Sequence, residues 1–183
     1  MLDIIRNNLE MRSKEMLFLK ERANNKKCKT EIDYYVPFTI SIEDENVYSA
    51  KSCWRTGNLK NSLVEIEIDK ESGILRNITL TSVDKAFLVN TTLKNVDEIE
   101  YGTPILFLDG DIKNGICDEP MNIYVYLGLD YIMVKFGEDV DICEFIELER
   151  ARFGFDKDNK LASIVVKNLS NYEYNELKEG LKL

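Results

Sequence analysis

Apolar and polar residues change rhythm several times along this chain, and each change marks an element. Leu2, Ile5, Leu9, Met16, Leu19 and Ala23 recur in steps of three and four, with Arg12 in the slot between Leu9 and Met16. That is a helical period, and it predicts a long amphipathic helix over residues 2–24, lying on a sheet. Asp3 in its first turn and Lys20 and Arg22 in its last suit the helix dipole. After the polar stretch 24–29 the period falls to two: Tyr34, Val36, Phe38, Ile40 and Ile42 alternate with other residues, as in a half-buried strand. Pro37 marks this as an edge or irregular strand, because proline brings no N–H to a ladder. Glu43-Asp44-Glu45-Asn46 then reads as a turn, with a returning strand over Val47–Trp54.

The clearest hairpin follows. Val64, Ile66 and Ile68 alternate with Glu65, Glu67 and Asp69, the turn is DKESG (69–73), and Leu75, Ile78 and Leu80 return. Further strands are expected over Lys85–Asn90, Pro104–Leu108, Ile123–Leu127 and Tyr131–Phe136, the last two joined through Gly128-Leu129-Asp130. A second hairpin runs from Ala151, Phe153 and Phe155 through DKDNK (156–160) to Leu161, Ile164 and Val166. Its apolar spacing after the turn matches that of the first, although its turn is one residue shorter and has no glycine. Either the chain carries an internal duplication, or both are ordinary hairpins with an Asp-Lys-acid turn. Ser170 with Glu173 three residues on has capping-box spacing and predicts a short helix to about Lys178. The sum is an α+β fold: a mostly antiparallel sheet of about eight to ten strands with a long N-terminal helix and a short C-terminal one.

Composition adds bounds. The 183 residues suit a single globular domain, 1–183. The segment MLDIIRNNLEMRSKEM is broken by charges and does not read as a secretory signal, and no run approaches the ~18–20 apolar residues of a membrane span, so a cytoplasmic protein off the membrane is expected. Cys28, Cys53, Cys117 and Cys143 are widely spaced and read as reduced thiols. With 33 acidic against 24 basic residues the formal charge is −9, which repels nucleic acid and attracts cationic proteins.

The chain has no histidine. This removes Ser-His-Asp and Cys-His nucleophile systems and most transition-metal sites, and neither common phosphate-binding glycine motif is present. No cofactor and no catalytic residue are therefore expected. Asp109-Gly110-Asp111 after an apolar strand resembles a divalent-ion pair, with ordinary turn chemistry as the plainer reading because no liganding glutamate closes a twelve-residue calcium loop. Cys53 beside Arg55 is a candidate for an activated thiol, with a buried structural cysteine, or Trp54 as an aromatic anchor for a partner, as the plainer reading.

The densest feature is EDVDICEFIELE (138–149), with six carboxylates interleaved with Ile142, Phe145, Ile146 and Leu148. It reads either as a solvated face or as a surface offering charge and apolar contact together. Further acids at Asp97, Glu98, Glu100, Asp118 and Glu119 would add to it if they converged.

Small size, acidity and the lack of catalytic motifs, together with SLVEIEIDKESGILRNITL (62–80), resemble the immunity proteins of bacterial contact-dependent and other polymorphic toxin systems. The resemblance implies a cytosolic inhibitor that binds a basic, nuclease-type toxin domain tightly. Its expected contacts are Glu138, Asp139, Asp141, Glu144, Glu147 and Glu149, and charge reversal at Glu144 and Glu147 should weaken binding with the fold intact. Two alternatives belong to other classes: a carboxylate- and metal-dependent enzyme or ligand binder centred on Asp109 and Asp111, and a structural subunit forming a homo-oligomer through a sheet edge or the first helix.

Overall fold

The computed structural model describes residues 16–43 and 49–183. Its fifteen strands fall into three sheets, with a single short helix among the described residues. The fold is therefore mostly β rather than α+β. The expected helix over 2–24 fails where it can be checked, because Met16–Ala23 form a strand, β1; residues 2–15 lie outside the described part. The run Met16-Leu17-Phe18-Leu19 satisfies a helix or a strand equally by its pattern. Tertiary pairing decides: β1 is bonded antiparallel along its length to β9 (Thr103–Asp109), which places Leu17 wholly in the core.

A six-stranded sheet contains β2 (Cys28–Glu31), β3 (Phe38–Ile42), β4 (Lys51–Gly57), β5 (Leu63–Asp69), β6 (Leu75–Ser82) and β10 (Ile116–Pro120), in the order β10-β4-β5-β6-β3-β2. A seven-stranded sheet contains β7 (Ala86–Leu88), β8 (Glu100–Tyr101), β11 (Ile123–Leu127), β12 (Tyr131–Phe136), β13 (Glu144–Leu148), β14 (Ala151–Phe155) and β15 (Leu161–Lys167), in the order β7-β11-β12-β15-β14-β13-β8. The expected strands over 123–127 and 131–136 and both hairpins are present. The strand at Pro37 is not an edge: the proline lies just before β3, which runs between β6 and β2. Helix α1 (Asn171–Gly180) has the anticipated capping box on Ser170 and Glu173.

The two hairpins belong to a larger repeat. The orders β4-β5-β6-β3-β2 and β13-β14-β15-β12-β11 correspond element by element, and every pair within them is antiparallel. Registers correspond as well: Trp54 faces Ile66 as Ile146 faces Phe153, and Ile40 faces Ile78 as Val134 faces Ile164. The β1/β9 ribbon joins the copies crosswise, with Leu106 N–H donating to the Gly73 carbonyl and Leu19 N–H to that of Asn159, both at 2.8 Å. Gly73 and Asn159 both have positive φ, 75° and 61°. A side chain at 73 would bring its Cβ to 2.3 Å from the Leu106 carbonyl oxygen, so the first turn requires glycine.

Alternate residues of both large sheets share one hydrophobic core, where the Trp54 and Phe136 rings meet edge to face at 5.5 Å. The outer faces differ. The six-stranded sheet presents ion pairs such as Lys51–Glu67 and Arg55–Asp118. In the seven-stranded sheet β14 and β15 are buried on both sides, so something must cover them. Strands β7 and β8 occupy opposite edges, about 29 Å apart at normal strand spacing. Residues 89–99 connect them and reach at most ~38 Å when extended, so the segment must run largely extended, and it does so without helix or strand. This strap is pinned where Leu93 N–H donates to Asp130 Oδ1 and Arg152 Nη1 to the Lys94 carbonyl. No helix of the described residues is long and apolar enough to cross a membrane.

Candidate functional site

The acidic run divides into two parts with different fates. Its first part lies in the crossover 137–143 from β12 to β13, which must pass β15 and β14 because these separate its two ends. Val140 and Ile142 are half-buried, and Ile142 lies over Gly154 on the outer face of the seven-stranded sheet. The intervening Glu138, Asp139 and Asp141 are exposed. Among the described residues no lysine or arginine forms an ion pair with any of these three, while the Lys135 ammonium donates only to the Glu138 backbone carbonyl, at 3.3 Å. Three charges are thus held outward without internal neutralisation.

The second part is β13 itself. Ile146 and Leu148 enter the core; Glu144 shares their side of the strand at its first position and is half-buried. Glu147 projects the other way and is 4% exposed, paired through Oε1 with Arg152 Nε at 2.7 Å and through Oε2 with Lys167. It is an interior charge and not a surface contact. Reversing it would strand Arg152 and Lys167, so a Glu144/Glu147 reversal would not leave the fold intact. Glu149 is exposed in the tight turn after β13, at φ 53°, and accepts from Cys28 N–H at 3.1 Å. Two of the acids elsewhere are engaged away from this run. Glu100 is at the β8 edge, paired with Arg22, and Asp118 is on the other large sheet, paired with Arg55.

Sequence reasoning missed the neighbour of Glu138. Val125 and Leu127 of β11 face the core, so Tyr124 and Tyr126 face outward, where Met133 pairs with Tyr126 and Phe87 of β7 stacks on Tyr126 at 5.4 Å. Phe87 is 43% exposed, and the Tyr124 hydroxyl lies 3.4 Å from Glu138 Oε2. Burial, and then the Glu138 charge, push the Tyr124 phenol above its ordinary pKa, so it remains a donor. The signal was visible in Ile-Tyr-Val-Tyr-Leu (123–127), where tyrosines take the positions a solvated strand face gives to charges.

Packing of the crossover can be probed directly. A Cβ at Gly154 would approach Ser163 Oγ to 2.5 Å and Ile142 Cγ2 to 2.8 Å. Gly154→Ala is expected to cost about 1–3 kcal/mol in denaturant unfolding, by forcing Ile142 off the sheet. Ser163 Oγ is buried without a hydrogen-bond partner among the described residues, so Ser163→Ala should be neutral or stabilise by about 1 kcal/mol. A clear loss from Ser163→Ala would contradict this packing.

Asp109 ends β9, and exposed Asp111 pairs with Lys113 at 3.1 Å; among the described residues no group of three or more carboxylates and thiols is gathered as a metal site. Cys53 and Trp54 split between outer face and core as alternation requires. The Cys53 thiol is pushed up to about 11, first by burial and then by Glu65 and Glu67, which together outweigh Arg55; it is not an activated nucleophile. All four cysteines are free. Compared with known proteins, the chain matches no family model and no curated relative.

Proposed function

We propose that the protein binds a basic protein partner stoichiometrically and neutralises it, as the resemblance to immunity proteins of toxin systems implies. The observation that supports this reading is the row of exposed carboxylates Glu138, Asp139 and Asp141, outside any ion pair among the described residues, which begins at Glu138 against Tyr124 of the aromatic strip that continues through Tyr126 to Phe87. Exposed carboxylates speed encounter with a cationic surface, and aromatic anchors beside them slow release. On this reading the partner is a nuclease-type toxin domain, met in the cytoplasm and blocked at its cationic, substrate-holding face.

The test is protection in cells. The carboxyl-terminal domain of a secreted protein encoded beside this chain is expressed with and without it. Wild-type protein should restore growth and co-purify with that domain. The triple variant Glu138→Gln, Asp139→Asn, Asp141→Asn should protect at least about tenfold less well at equal expression. Undiminished protection by the triple variant would remove this site, and a neighbourhood encoding no such secreted protein would count against the toxin partner.

A further inference from the structure

The outer face of the seven-stranded sheet is unevenly covered. Val165, Arg152 and Ser163 are buried, whereas the strip over β7, β11 and β12 stays partly open, with Phe87 exposed and Tyr124, Tyr126 and Met133 half-buried. We propose that this strip receives an arginine side chain of the basic partner, its guanidinium stacked on the Tyr124 ring and hydrogen-bonded to Glu138. The proposal rests on the reading of the protein as a binder of a cationic partner, and it names the chemistry of the contact.

Three observations carry it. First, the same sheet face already holds this arrangement internally: the Arg152 guanidinium lies 5.8 Å from the Phe145 ring centroid while Nε donates to Glu147 at 2.7 Å. Second, the Glu138 carboxylate is engaged only by the long 3.4 Å contact from Tyr124, which leaves most of its acceptor capacity for an incoming donor. Third, the floor is aromatic at Tyr124 and flanked by Glu138 and Asp139, whose charge has the sign a cation needs, while the Lys135 ammonium across from Tyr124 is bound to the Glu138 backbone carbonyl at 3.3 Å. A guanidinium suits such a floor better than an ammonium. It is planar, less strongly hydrated, and presents a fork of donors that matches a carboxylate while its face lies on a ring.

The experiment uses the isotopically labelled full chain and two acetylated peptides of equal charge, one alternating arginine with glycine and one alternating lysine with glycine. The arginine peptide should bind about tenfold more tightly and shift the resonances of Phe87, Tyr124 and Tyr126. Tyr124→Leu and Glu138→Gln should each abolish that preference, whereas Asp141→Asn should lower both affinities alike. Equal binding of the two peptides, confined to the 137–143 crossover, would overturn the arginine seat and leave the cationic partner standing. Binding of neither peptide would overturn both.

Discussion

Glu147→Ala is expected to destabilise the protein by about 3–5 kcal/mol, the loss seen when one member of a buried ion group is removed. Glu147 and Arg152 are 4% and 6% exposed, and Lys167 completes the group beneath the strap over residues 89–99. Without the carboxylate, two cations face each other with little water to screen them. Burial alone would push the Glu147 carboxyl up, but hydrogen bonds and charge from Lys167 and Arg152 outweigh it, and the group titrates below its ordinary value. A carboxyl lowered on folding stabilises above its unfolded pKa of about 4.3 and ceases to do so as pH falls through the folded value. Asp69, held down by Ser49, Ser72 and Arg76, shifts in the same direction, as does Glu173 against Arg150. Stability measured by urea titration should therefore decline steadily below about pH 4.5, and less steeply in Glu147→Gln. Exposed Glu149→Ala is the control. A Glu147→Ala loss no larger than that of Glu149→Ala would contradict the buried group.

Trp54→Ala should cost a similar ~3–5 kcal/mol and lower Tm by roughly 6–20 °C. Trp54 is 1% exposed and bridges the two large sheets through Phe136. Its loss opens a cavity between layers that rigid strands cannot close. Trp54→Phe keeps a ring against Phe136 and should lose clearly less. Because this is the chain's only tryptophan, its emission also reports the core, and should move to the red in the same transition that melts the sheets. Separate transitions for fluorescence and circular dichroism would show that the sheets do not share one cooperative core.

Much of the β-structure could be read from alternation, because β5, β11, β12 and β14 each bury every second residue or lie between signals of turn chemistry. What failed was local pattern without local cause. β1 is a strand because β9, about ninety residues away, supplies its hydrogen-bond partners, and no window of sequence contains that fact. β2, β8 and β10 are short segments that pair at sheet edges. The repeat was half visible: its hairpins share apolar spacing, but strands such as β4 and β13 hold different residues and match only in order and register. The acidic run was legible as charge and not as geometry. Alternation in EDVDI separates exposed acids from Val140 and Ile142, whereas Glu147 looks like its neighbours until Arg152 and Lys167 are placed beside it.

The most direct measurement is calorimetric titration of the proposed partner, the carboxyl-terminal domain of a secreted protein encoded beside this chain, into the wild-type protein and into the Glu138→Gln, Asp139→Asn, Asp141→Asn variant, at low and at high salt. Wild-type affinity should fall strongly with salt, while the variant binds more weakly and with a flatter dependence, both remaining equally folded. Equal affinity and equal salt dependence for the two proteins would contradict the assignment of this acidic crossover as the docking surface.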